Sequence, residues 1–399
     1  MTTRTIGIDA IALAVPEGYI ELSDLAAARN VPAGKYVDGL GVRQMSVAKP
    51  HEDPVALAVG AARRVMKLGQ IDPSTIGLCI VGTETAVDHS KPIAAWVHRM
   101  CELGTACRSF ETKHACYGGT AGLLNALDWI ASGSARGKKA LVICTDIARY
   151  QLGSPGEPTQ GAGAIAMIIS EDPRLCALEV GVTGSYTKDV NDFWRPLYSK
   201  EAFVDGQHSV QCYLDAITGA YGEWKKLDAE TQPDATAVTR RLYHVPYGKM
   251  AKKAHRQVMA IEGKTDAEAD QSYATEVASS LELPGQVGNV YTGSLYLAFA
   301  SLMNSEASTL EGGRISFFSY GSGCTAEFFA GTIVPGAGAF AKALEIDAPL
   351  KKRRRFTIAE YEAIRRADND ADRRPVEAGN YKSAVAFTGV DKDIRQYQG

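Results

Sequence analysis

The chain has 399 residues, 45% hydrophobic and 22% charged, and its 43 Lys+Arg against 46 Asp+Glu leave a net charge of −3. That length can bury a large core without disulfide staples, and the near-neutral balance excludes a global basic field for nucleic acid. No apolar run approaches the ~18 residues needed to cross a bilayer, and the start is too short and polar for a signal peptide. Eight scattered cysteines form no Cys-x-x-Cys pair, so the expectation is a cytoplasmic protein with reduced thiols and no zinc or redox motif.

The first residues, "MTTRTIGIDAIALAVP", read as a strand. "EDPVALAVGAARRVMKLG" follows as a helix, with Asp53 as N-cap, Pro54 in the first turn, and Val55, Val59, Ala62 and Met66 on one stripe. "TIGLCIVGTET" is a strand buried on both faces that ends at Glu84. "KPIAAWVHRMCELG" is helical and "CRSFETK" is a strand leading into "TKHACYGGTAG". Then come the apolar helix "AGLLNALDWIASG", the strand "KKALVICTD", a Gly-rich turn, and the strand "GAGAIAMIIS". The second half repeats part of this plan in "GQVGNVYTGSLYLAFASLMNS" and "RISFFSYGSG". The pattern predicts a pseudo-duplicated α/β architecture with two central helices back to back. The division expected is 1–170, 171–340 with a more polar insertion near 185–280, and a charged surface appendage over 341–399. The run Lys351–Arg355 reads as solvated.

Three residues stand out chemically. Cys116 sits among glycines just before a helix, where the dipole and free N–H groups favour thiolate and can stabilise an oxyanion. A buried cysteine in a tight turn is the competing reading. Glu84 ends an apolar strand, where burial raises a carboxyl pKa and suits it to take and return a proton; a carboxylate emerging into solvent is the alternative. His244 closes the strand-like "RLYHVP" before a basic helix whose lysines suit phosphate, although such lysines are also common on solvated faces. His114 is a rival base for Cys116, but alternating strand positions point it to the opposite face. "GNVYTGS" and "YGSG" are small turns that could line a pocket.

Together, "VGTETAVDHSK", "KHACYGGTAG", "TDIARY", "GEPTQGAGAIAM", "DFWRP", "VDGQHS", "YHVPYGKMAKKA", "VGNVYTGSLY" and "SYGSG" resemble the 3-hydroxy-3-methylglutaryl-CoA synthase family of the thiolase superfamily, from the first strand to about residue 335. The resemblance implies a thiolase-like layered αβαβα core and a homodimer. It implies an acyltransferase that condenses acetyl-CoA with acetoacetyl-CoA for the mevalonate route, with no metal, nucleotide or redox cofactor. By resemblance, Cys116 is the acetylated nucleophile, Glu84 the general acid/base, and His244 holds the second acyl-CoA. Asn289 and Ser322 approach the thioester, and Lys249 and Lys253 face CoA. Ser209, Thr159 and Tyr320 join the substrate side, with Asp146 and Asp192 supporting. The turn before "PTQG" departs from the family, carrying Pro155-Gly156-Glu157 where a small residue or asparagine is usual. β-Branching synthases acting on carrier-protein acyl groups share the Cys/Glu/His set, whereas the lysines of "HVPYGKMAKKA" favour free CoA. Ketoacyl synthases pair cysteine with His and Asn, and a thiol hydrolase has no need of a strand-end glutamate.

Overall fold

The computed structural model describes residues 5–368 and 385–399. Among these, nine strands form one sheet: β1 (Ile6–Ala14), β2 (Ile76–Gly82), β3 (Arg108–Thr112), β4 (Lys139–Ile147), β5 (Ala162–Glu171), β6 (Cys176–Thr187), β7 (Val238–Tyr243), β8 (Arg314–Gly321) and β9 (Thr325–Ile333). Their spatial order is β7-β8-β9-β6-β1-β5-β4-β2-β3. The pairing repeats on either side of the centre. β2 and β4 are parallel, while β4–β5 and β5–β1 are antiparallel. On the other side β7 and β8 are parallel, while β8–β9 and β9–β6 are antiparallel. The two sets join through a short ladder, Ile6–Ile8 against Cys176–Leu178. Continuous apolar runs make this possible, because β1, β2, β4, β5 and β8 are buried on both faces.

Five helices position the chemistry: α1 (Pro54–Gly69), α2 (Gly118–Ala131), α3 (Gly206–Thr231), α4 (Gly248–Ile261) and α5 (Ser294–Glu306). In α1, Asp53 accepts from the Ala56 N–H at 2.8 Å, as its sequence position predicted. The central pair α2 and α5 is tied by Thr120 Oγ1 and the Tyr296 hydroxyl, 2.7 Å apart. α3 lies in the stretch expected to be polar, yet one face of it is core. Tyr213, Ala216, Ile217, Ala220 and Trp224 are buried, and its backbone comes so close to β6 that a Cβ at Gly184 would lie 2.1 Å from Ala220 O. Interspersed Lys and Glu on its other faces dilute that stripe in the sequence.

The described part of the stretch after 340, expected as a charged surface appendage, is anchored to the fold by buried side chains. Phe356, Tyr361 and Phe387 are each 1% exposed. Arg354 and Arg355 pair in parallel with Gly18 and Tyr19. Arg353 is turned inward, donating to Ser46 Oγ (3.0 Å), Gln44 Oε1 (2.9 Å) and Gln286 O (2.9 Å), and burial pushes its guanidinium down to about 10. The charges dominate the composition there, while a few aromatic anchors fix the packing. Residues 369–384 of that stretch lie outside the described residues. No helix among the described residues is long and apolar enough to cross a membrane.

Candidate active site

Glu84 follows directly from the buried strand β2. Beside it, β4 delivers Asp146, which is fully buried. One Asp146 oxygen accepts from Glu84 N (2.9 Å), Thr83 Oγ1 (3.0 Å) and Thr85 Oγ1 (2.8 Å). The other accepts from Thr292 N (3.0 Å) and Thr292 Oγ1. Burial raises the Asp146 carboxyl against the pull of these donors. The carboxylate therefore fixes the main chain at Glu84 and joins it to the turn before α5.

Cys116 occupies the turn between β3 and α2, where Ala115 takes a left-handed φ of 41°. Glycines let this turn press against its neighbours. A Cβ at Gly82 would lie 2.6 Å from the Gly119 main chain, and one at Gly321 would lie 2.4 Å from His114 O. The Cys116 thiol donates to Glu84 Oε1 at 3.3 Å. Burial, and then repulsion from Asp146, lift Glu84 to about 8, although the Arg195 cation pulls it back. Burial and the Glu84 charge push the Cys116 thiol well above its usual range. The expected helix-favoured thiolate is thus corrected: the thiol rests protonated, with its proton directed at Glu84. Two N–H groups of the turn are engaged within it, Tyr117 N on His114 O (3.0 Å) and Gly118 N on Ala115 O (3.3 Å).

His244 is 2% exposed and sits at the end of β7, its N–H on Phe318 O at 2.8 Å. Burial pushes its imidazole down to about 3, so it is neutral. The Asn289 carboxamide oxygen is taken up within its own turn, by Tyr291 N and Ser294 Oγ, both at 2.8 Å. Asp192, fully buried, accepts from the Tyr320 hydroxyl (2.7 Å), Ser209 Oγ (3.3 Å) and Gly323 N (3.1 Å). Those bonds hold the loop bearing Ser322, which abuts the Cys116 turn through Gly321. His114 makes no hydrogen bond to Cys116 among those described. Its ring meets Tyr117 edge-on at 6.0 Å, and burial lowers its pKa.

Three expected residues are not brought to the thiol. Thr159 donates to Gly156 O at 2.8 Å within its own turn. Lys249 is exposed at the start of α4, and Lys253 follows it one turn on. A cavity of about 780 Å³ opens on Glu84, Ala115 and Arg195, with Lys49, Lys113 and Arg149 on its walls; neither α4 lysine lines it. Among the described residues, Glu17, His51 and Glu52 form the one cluster with metal-ligand chemistry. There, main-chain N–H groups of Glu17 (2.6 Å) and Lys49 (3.0 Å) already hold Glu52.

The residue missed at sequence level is Arg195. It lies inside the quoted "DFWRP", but nothing in that string says which neighbour an arginine will reach.

The chain matches the family models described as hydroxymethylglutaryl-coenzyme A synthase N terminal, over residues 2–174, and C terminal, over 176–268 and 255–376. It is 39% identical to a hydroxymethylglutaryl-CoA synthase of Enterococcus faecalis over 99% of this chain and 100% of that one. It is 32% identical to a polyketide biosynthesis 3-hydroxy-3-methylglutaryl-ACP synthase of Bacillus subtilis, over 90% and 87%. A solved structure of MvaS in complex with 3-hydroxy-3-methylglutaryl coenzyme A superposes with a TM-score of 0.94 at 45% identity, covering 100% of this chain and 99% of that one. With that coverage the layered architecture is thiolase-like, and the chain belongs to the hydroxymethylglutaryl-CoA synthase family.

Proposed function

We propose that this acyltransferase condenses acetyl-CoA with acetoacetyl-CoA through an acetyl thioester on Cys116. The observation that carries the reading is the 3.3 Å contact between the Cys116 thiol and a carboxyl whose pKa stands at about 8. A group poised there gives up and regains a proton near neutral pH. Glu84 takes the thiol proton as sulfur attacks acetyl-CoA, then passes it to the departing CoA thiolate. It next removes a proton from the acetyl methyl, and the resulting carbanion attacks the ketone carbon of acetoacetyl-CoA. Glu84-H protonates the new alkoxide. In the last step Glu84 takes a proton from water, hydroxide cleaves the thioester, and that proton returns to Cys116. His244, being neutral, holds the acceptor by hydrogen bonding rather than by charge. Asp146 and Asp192 set the main chain on either side, with Ser209 and Tyr320 bonded to Asp192, and Asn289 and Ser322 flank the acyl group. Lys249, Lys253 and Thr159, which do not line the cavity at Glu84, are assigned to the CoA portion away from the thiol.

The homologue that acts on carrier protein makes acetyl-carrier protein the necessary control donor. Mass spectrometry after incubation with acetyl-CoA is expected to place one acetyl group on Cys116. Cys116→Ala should take none and form no HMG-CoA. An unmodified wild-type Cys116, or acylation only from carrier protein, defeats the free-CoA reading. A homodimer remains part of the proposal, to be checked by sedimentation.

A further inference from the structure

Asp192 and Arg195 lie three positions apart in sequence but grip opposite sides of the site. Asp192 holds the Tyr320–Gly323 strand end. Arg195 reaches the other way: its Nη2 donates to the Glu84 carbonyl oxygen and stands 3.5 Å from Glu84 Oε2. Both side chains are largely enclosed, Arg195 14% and Glu84 7% exposed. The arginine is itself held in place. Its guanidinium lies over the Tyr291 ring at 5.9 Å, and Phe193 packs edge-on to the same ring at 5.8 Å. The short ladder Phe193–Trp194 with Phe203–Val204, and the stacked Trp194 and Phe203 rings, brace the segment that carries it.

We propose that Arg195 is a positioning residue for Glu84: it fixes the carboxylate beside Cys116 through the backbone carbonyl and sets a cation against it. This deepens the proposed condensation and rests on that reading. Of the other groups acting on Glu84, the Cys116 thiol favours its negative charge by donating to Oε1 at 3.3 Å. Asp146 from β4 repels it, and the Cys116 thiol and the phenols of Tyr150 and Tyr291 surround it. Arg195 is the cation among the groups that act on its ionisation. Without it, burial and Asp146 are opposed by the thiol's hydrogen bond but by no charge among these groups, and Glu84 holds its proton to higher pH.

The test compares full-length wild type with Arg195→Met, Arg195→Gln and Arg195→Lys, reading two quantities: acetylation of Cys116 by acetyl-CoA, and the pH profile of kcat for condensation. Arg195→Met is expected to acetylate within about threefold of wild type while condensation falls about 30-fold, and the acid limb of the profile moves up by about one pH unit. Arg195→Gln, which can still donate to the carbonyl oxygen, should fold normally and show the same shift, separating charge from tethering. Arg195→Lys should restore the limb. An unmoved limb in Arg195→Gln, equal losses in the Gln and Lys variants without a shift, or acetylation falling in step with condensation would each overturn the role of Arg195. Failure of the wild type to acetylate Cys116 overturns the proposed function instead, and this role with it.

Discussion

Asp9 and Glu84 are both buried carboxylates with an arginine at hand, and they end at opposite extremes. Asp9 in β1 is 1% exposed and collects Arg174 Nε (2.6 Å), Arg174 Nη2 (2.8 Å), Arg174 N (3.2 Å) and Lys139 Nζ (3.3 Å). Burial pushes it up, but those hydrogen bonds and charges outweigh burial and hold it below the usual carboxylate range. Glu84 has one cation, directed mainly at its own backbone carbonyl, a carboxylate neighbour and a thiol, and it rises to about 8. The fully compensated carboxylate stabilises the fold. The under-compensated one exchanges protons, at some expense in stability.

The comparison breaks most clearly at Glu84. Glu84→Ala is expected to lower condensation about 10³-fold and acetylation of Cys116 about tenfold, read by steady-state and single-turnover assays. Equal losses in both steps would move its role wholly to thiol activation. At the other carboxylate, Arg174→Met should cost about 3 kcal/mol in urea unfolding, because Asp9 keeps only Lys139 among its cations, and acetylation should be unchanged. The sign with pH follows from a lowered folded pKa. The wild-type contribution is present above the unfolded carboxylate range and is lost as pH falls through the folded value, so the variant's stability should be flatter below about pH 4.

Glu84→Gln tests the expense directly. A folded pKa of about 8 against an ordinary 4.5 means that the folded chain binds this proton more tightly than the unfolded chain. Stability therefore falls as pH rises through that window, and the variant's advantage over wild type should grow by roughly 3 kcal/mol from pH 5 to pH 8. Thermal melts across that range decide it; a gain independent of pH would point to packing instead. The smallest effect is expected at Asp53, a third carboxylate, which accepts from Ala56 N (2.8 Å), Arg395 Nη2 (2.8 Å) and the Tyr397 hydroxyl (2.6 Å). With two donors left, Tyr397→Phe should cost about 1 kcal/mol in a melt and leave acetylation untouched.

Much of this was legible in the sequence because it follows local rules. The Asp53 cap, the doubly buried strands and the Gly-rich entry to α2 each declare themselves within a few residues. The motif strings also carried Cys116, Glu84 and Asp146 to one place. What escaped depends on distant segments. Arg195 reaches Glu84 across 111 positions, and no local pattern encodes such a reach. The inward turn of Arg353 is invisible within a run of five basic residues, the other four of which are exposed. The resting state of Cys116 was misread because the dipole argument is local, whereas desolvation and the Glu84 charge come from the assembled fold.

Asp146 carries a consequence for assembly. Its donors come from residues 83–85 and from Thr292, whose hydroxyl also bonds Gly82 O across 210 positions of chain. Until that distant turn docks, Asp146 Oδ2 lacks its donors, and the site that pairs Cys116 with its base is incomplete. On refolding, capacity to accept an acetyl group should return with this long-range closure and trail the recovery of secondary structure. Reactivity here depends on contacts between segments that lie far apart in the chain.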